Sequence, residues 1–168
     1  MELALAFYKG EGTVFDRIVR RVTQSPYSHV ELVEMDFRAS FVLSKHKAMT
    51  ARAISASPRD GGVREKIIRF ERDHWDFLPL GLLSEDAEKV WNRAASASGP
   101  YDFTGILVNF ATPFRWQSEG RWFCSELIGH ALRFPNPHLL APGDVYRWVE
   151  GFNTWAEALV SQPVTQEA

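Results

Sequence analysis

Trp122-Phe123-Cys124-Ser125-Glu126-Leu127-Ile128 places the only cysteine of the protein at the start of an apolar run with helical spacing. Far upstream, Tyr27-Ser28-His29-Val30-Glu31-Leu32-Val33 places a histidine at the start of a run that reads as a strand. A thiol at a helix N-terminus and an imidazole at a strand start are the two parts of a thiolate nucleophile. The helix end favours negative charge, and the imidazole accepts the thiol proton. The two lie far apart in sequence, so the elements between them decide which fold brings them together.

Working outward, residues 3–8 suit a short strand and Lys9-Gly10-Glu11-Gly12 a turn. Thr13 caps a helix to about residue 23. Its apolar positions Val14, Phe15, Ile18, Val19 and Val22 recur at helical spacing, while Arg17, Arg20 and Arg21 face out. Gln24-Ser25-Pro26 breaks it. The His strand covers residues 29–35. Residues 37–43 and 51–57 are further strands, separated by the basic stretch Lys45-His46-Lys47. Pro58-Arg59-Asp60-Gly61-Gly62 is a turn, because Asp-Gly and Gly-Gly supply positive φ cheaply, and residues 63–70 return as a strand.

Residues 71–83 read as aromatic and irregular. Ser84, followed by Glu85 and Asp86, starts a helix that runs to about residue 98 before Gly99-Pro100. Residues 101–110 suit a second short helix and 111–121 a loop. The Cys helix runs from 124 to about 132, and Ala141-Pro142-Gly143-Asp144 turns into a short helix near 145–148. The tail from about residue 161 reads as frayed. There is no internal repeat and no linker. The expectation is one α+β domain over residues 1–168, an antiparallel sheet with packed helices. The His strand is expected at its centre, with the N-terminus of the Cys helix over His29.

With 168 residues the protein is long enough to bury a sizeable core, and 45% hydrophobic with 24% charged residues is ordinary for a globular protein. A net charge of −2 gives no sign of nucleic-acid or membrane-surface binding. One cysteine excludes an internal disulfide and a Cys-rich zinc site. The N-terminal run lacks the basic region and cleavage site of a signal peptide, and no stretch reaches transmembrane length. A soluble, cytoplasmic protein without stable membrane insertion is expected, with no cofactor and no metal.

The order strand, helix, His strand, further strands, helix, Cys helix is the reverse of the papain order, in which the Cys helix comes first. With the strings Thr23-x-Ser25-x-Tyr27-Ser28-His29-Val30, Gly62-Val63 after a small-residue strand, Pro100-Tyr101-Asp102 and Phe123-Cys124-Ser125-Glu126-Leu127, the sequence resembles the circularly permuted NlpC-type papain-like cysteine hydrolases. That group includes YiiX-like bacterial proteins and relatives of lecithin–retinol acyltransferase. Residues 55–64, Ser-Ala-Ser-Pro-Arg-Asp-Gly-Gly-Val-Arg, are also similar to phage and prophage proteins of the group.

The resemblance spans roughly residues 3–148 and implies Cys124 as nucleophile and His29 as base. The substrate it implies is a peptide, such as a cell-wall fragment, or another acyl-containing molecule. A third group that orients the imidazole lies, in this family, on a strand after the His strand, and alignment on the small-residue strand implies Ser55. Ser57 shares the face of Ser55, Glu31 shares the face of His29, and His46 is a further candidate. A lipid acyltransferase or thioesterase uses the same apparatus. A phage or bacterial binding or structural protein can keep the fold without turnover.

Other residues carry plainer readings beside functional ones. A lone cysteine on an apolar helix is also a core residue. Arg59, Asp60 and Arg64 fit a substrate cleft and a salt-bridged hairpin turn equally well. His74-Trp75-Asp76 is too small a set for a metal site. His130, six residues past Cys124, falls on another face of the helix. Glu126 favours the helix dipole but opposes a thiolate nearby.

Overall fold

Leu3, Leu5 and Phe7 alternate with Ala4 and Ala6 in β1 (Glu2–Tyr8), so large side chains point to one face and small ones to the other. The computed structural model describes residues 1–35, 48–112 and 118–161. Among the described residues, β1 is flanked by β2 (His29–Met35) and β5 (Trp75–Pro79). Beyond β2 come β3 (Ala48–Ser57) and β4 (Gly62–Glu71), so the sheet order is β4-β3-β2-β1-β5. Every pairing is antiparallel, and the His strand is central, as expected. The strand expected at 37–43, the Lys45-His46-Lys47 stretch, residues 113–117 of the loop and the tail after 161 lie outside the described residues.

Five helices accompany the sheet among the described residues: α1 (Val14–Thr23), α2 (Ser84–Ser96), α3 (Phe103–Ala111), α4 (Cys124–Ala131) and α5 (Pro142–Val160). Thr13 caps α1 reciprocally. Its hydroxyl accepts from the Asp16 N–H at 3.3 Å, and the Asp16 carboxylate accepts from the Thr13 N–H at 2.7 Å. Gln24 ends that helix in the left-handed region at φ 50°. The Cys helix, α4, packs on β2 and β3. Leu127, Ile128 and Ala131 join Leu5, Phe7, Val30, Leu32 and Ile54 in one buried cluster. Each Leu, Ile or Phe buried there stabilises the fold by about 1.5–3 kcal/mol. This packing fixes where the first turn of α4 falls.

Two elements depart from the sequence expectation. Trp75–Pro79 is a strand rather than an irregular stretch. It is a sheet edge with half-buried side chains on both faces, so it lacks the alternation that marks a half-buried strand. The last helix runs 19 residues, not the few near 145–148. Trp148, Phe152, Trp155 and Leu159 form an exposed apolar stripe beside the buried Val145 and Val149. Gly151, Asn153 and Thr154 lower the local helix propensity, so the run does not read as one helix.

A small backbone lattice ties the Cys helix to the β3–β4 hairpin. Val63 N–H donates to Gly99 O at 3.1 Å, and Tyr101 N–H donates to Gly61 O at 2.9 Å. Trp122 N–H then donates to Pro100 O at 3.1 Å, and Asp102 N–H donates to Trp122 O at 3.0 Å. The approach is close enough to demand glycine at two points. A Cβ at Gly62 would stand 2.2 Å from Gly99 O, and one at Gly99, where φ is +141°, would stand 2.1 Å from Gly120 O. Gly62→Ala is therefore expected to force the strip apart and lower unfolding stability by about 1–3 kcal/mol, read from the urea midpoint. An unchanged midpoint would show that the lattice yields without cost.

Candidate active site

His29 is the first residue of β2, so its ring stands at the end of a strand, where the first turn of α4 meets it. Its Nε2 lies 2.8 Å from Glu31 Oε1. That leaves Nδ1 free of Glu31, and Cys124 lies close enough to the ring to act on its charge. Cys124 is the first residue of α4 and 1% exposed. As a first-turn residue its N–H has no acceptor within the helix. The structure thus brings together the two residues that the sequence pairs across most of its length.

Glu31 sits two residues along β2 on the same side as His29 and is 1% exposed. A buried carboxylate needs partners, and it has them. Arg64 on β4 donates through Nη1 to Oε2 at 2.6 Å and through Nη2 to Oε1. Arg64 Nε in turn donates to Asp60 Oδ2 at 2.8 Å, and Lys66 Nζ donates to both Asp60 oxygens. The result is a run of alternating charge: His29, Glu31, Arg64, Asp60, Lys66.

Ser55 does not orient the imidazole. It is fully buried, and its hydroxyl donates to Val30 O at 2.7 Å. Leu32 pairs with Ile54 and Ser55 pairs with Arg64, so Ser55 occupies the row between Glu31 and Arg64. A small residue there, with its hydroxyl turned to the backbone, leaves room for the guanidinium to cross β3 and reach Glu31. The small-residue strand thus serves the third group without supplying it. Ser57 accepts from the Arg59 N–H at 3.2 Å, and His46 lies outside the described residues. Of the candidates among the described residues, Glu31 is the one against the ring.

The charges reinforce one another. Burial works against a charged His29 ring, but its neighbours Cys124 and Glu31 outweigh it and raise the imidazolium pKa to about 10. Burial likewise works against ionised Glu31, yet Arg64 and His29 hold it below the usual carboxylate range. Asp60 is lowered to about 2 against a smaller burial cost by Arg64 and Lys66. Burial, aided by neighbouring Cys124 and Asp16, keeps the hydroxyl of Tyr101 well above the usual phenol range, so it retains its proton. Glu126, in the nucleophile's own helical turn, is raised by burial to about 7, with Asp102 adding to the rise and the Phe123 N–H opposing it. Near neutral pH its opposition to a thiolate is accordingly reduced.

A cavity of about 390 Å³ opens beside this array, within the size range of small-molecule sites. His29, Glu31 and Arg64 line it with Tyr8, Phe15, Trp75, Tyr101, Phe103, Asp16 and Arg59. Cys124 is not itself a wall; the wall residues that interact with it are His29 and Tyr101. Asp16 is held there by Thr13 and by the Ser28 hydroxyl, which donates to it at 3.0 Å. Arg64 and Asp60 form a salt bridge at the hairpin, as that reading expects, Arg59 pairs with Asp16 of α1, and all three line the cavity.

His74-Trp75-Asp76 divides its parts. His74 pairs with Glu71, Asp76 takes Lys9 and the Tyr27 hydroxyl, and Trp75 meets the His29 ring at 6.3 Å. His130 stacks on Trp122, 5.1 Å between ring centres, away from the thiol. Among the described residues no group of three His, Cys, Asp or Glu is placed to hold a metal ion, and no helix is long and apolar enough to cross a membrane. The sequence matches no protein-family model and none of the curated proteins.

Sequence reasoning passed over Arg64 as a partner of the His29–Glu31 array and Tyr101 as a neighbour of the thiol. Arg64 was legible only through register, since its reach to Glu31 depends on β3 lying between them. Tyr101 was visible as part of Pro100-Tyr101-Asp102, but nothing in that string locates its ring.

Removing Arg64 leaves a buried carboxylate with one partner fewer, so Arg64→Met is expected to cost about 3 kcal/mol in chemical unfolding. With Glu31 ionised, His29 should remain an imidazolium at pH 8. In Glu31→Gln its titration, followed by ring-proton NMR, should move down toward 6.5. A ring already neutral at pH 8 in the wild type would contradict this electrostatic account.

Proposed function

We propose that this protein is a thiol hydrolase of the permuted papain-like kind, cleaving an amide or ester through an acyl-enzyme on Cys124. The observation that carries the reading is the run Cys124–His29–Glu31, a thiol at a helix N-terminus beside an imidazole fixed by a buried carboxylate. An inert core cysteine requires neither the imidazole nor a guanidinium-clamped carboxylate behind it. The element order and the strings around His29 and Cys124 support the family likeness. A peptide, such as a cell-wall fragment, is the substrate class that likeness suggests.

In this reading the Cys124 thiolate attacks the carbonyl carbon, and the carbonyl electrons move to oxygen. The N–H of Cys124, which has no acceptor within its own helix, and the protonated Tyr101 hydroxyl are the donors assigned to that developing charge. Collapse of the intermediate expels the amine or alcohol, which takes its proton from the His29 imidazolium, and leaves a thioester. His29, now neutral, removes a proton from water as the water attacks. The acid departs, and the thiolate–imidazolium pair is restored. Glu31 holds the ring in one orientation throughout and stabilises its charged form.

The test is covalent. Iodoacetamide should label Cys124 in the native protein at neutral pH, with intact mass as readout. His29→Ala should slow labelling strongly and lower turnover of a 4-nitrophenyl ester by about 10²–10⁴-fold. Cys124→Ser should show no acyl adduct while keeping the native fold by circular dichroism. Equal labelling of wild type and His29→Ala, or none of the native protein, would refute the activated pair.

A further inference from the structure

The charged groups around the cavity are not equally occupied. Glu31 is held by His29 and Arg64, and Asp60 by Arg64 and Lys66. Asp16 is held by Thr13 and Ser28. Arg64 uses its Nε and both terminal nitrogens, and Lys66 lies on Asp60. Arg59 differs from all of them. Its side chain is 66% exposed, and its one ion pair is a 3.6 Å contact with Asp16. Among the described residues its guanidinium makes no hydrogen bond. It is the cation of this cavity whose donors remain open.

Its position is also set. Ser57 Oγ accepts from the Arg59 backbone N–H and so fixes the hairpin that carries it. Asp16 links it back to Ser28, the residue before His29. Phe15, Tyr101 and Phe103, which also line the cavity, pack edge to face with ring centres 4.9–6.2 Å apart. The cavity therefore pairs an apolar wall with one open guanidinium.

Resting on the thiol-hydrolase reading, we propose that Arg59 reads a carboxylate on the acyl donor, so that the substrate is an acidic peptide or a related acyl compound with a free carboxylate beside the scissile bond. A guanidinium fork matches a carboxylate by two parallel N–H bonds. The remainder of the acyl group lies against the aromatic wall. A phosphate group would call for further donors, and Arg64 and Lys66 are already committed to Glu31 and Asp60.

The test uses two esters that differ in one charge: the 4-nitrophenyl monoester of glutaric acid and its methyl ester. At low salt the wild type should favour the free acid in kcat/KM by about tenfold, the effect of one partly exposed charge-assisted hydrogen bond. In Arg59→Gln the ratio should fall toward one, in Arg59→Glu it should invert, and Arg59→Lys should recover part of it. The same ratio in wild type and Arg59→Gln would overturn the assignment.

If neither ester acylates Cys124, the hydrolase reading fails, and the anion site is then tested separately. Glutarate and inorganic phosphate are titrated into the wild type and Arg59→Gln while the His29 ring protons are followed by NMR. Shifts with glutarate that Arg59→Gln abolishes support the carboxylate site. No shifts, equal shifts in both proteins, or tighter binding of phosphate overturn it.

Discussion

Everything at this site leans on one buried carboxylate. Glu31 is closed off from solvent, so its charge is tolerable only with close, well-aligned partners. Arg64 meets it through both terminal nitrogens, and His29 meets it through Nε2. Each partner depends on the others. Without Arg64, Glu31 loses its main reason to stay ionised. Without ionised Glu31, the imidazole loses a fixed orientation and much of the support for its charge. The run continues outward through Asp60 and Lys66, where solvent takes over.

The sheet makes this possible through size as much as through charge. Arg64 lies on β4 and Glu31 on β2, so the guanidinium has to pass over β3. Ser55 is the residue in its path, and its short side chain is held down by Val30 O. A bulkier residue at that point would close the passage. The opposite face of the same strands carries Val30, Leu32, Ile54 and Ala56 against the Cys helix. One face of the sheet therefore seats the Cys124 helix by packing, while the other orders His29 by charge.

Much of this was legible in the sequence, and the reasons it was legible are specific. Cys124 at the start of an apolar helical run and His29 at the start of an apolar strand are local patterns, and the thiol and imidazole do meet. The α+β class followed from the order of periodic segments, and the central His strand from the requirement that thiol and imidazole meet. The identity of the third group depended instead on register. Aligning on the small-residue strand pointed to Ser55, whereas the i, i+2 relation of His29 and Glu31 was already present within one strand. The edge strand Trp75–Pro79 and the length of α5 were hidden because both leave large apolar residues half or fully exposed, which erases the periodicity that reveals an element.

The lattice that holds the Cys helix to the β3–β4 hairpin has a further consequence. Its bonds run from backbone N–H to backbone carbonyl groups at Gly61, Val63, Gly99, Pro100, Tyr101, Asp102 and Trp122. Such bonds do not depend on which side groups the residues carry. The tight approaches at Gly62 and Gly99, and the left-handed φ of +81° at Gly61, restrict the choice of amino acid. The placement of Cys124 is thus encoded with very few letters. Sequences could differ widely around those glycines and still bring residue 124 to the same point.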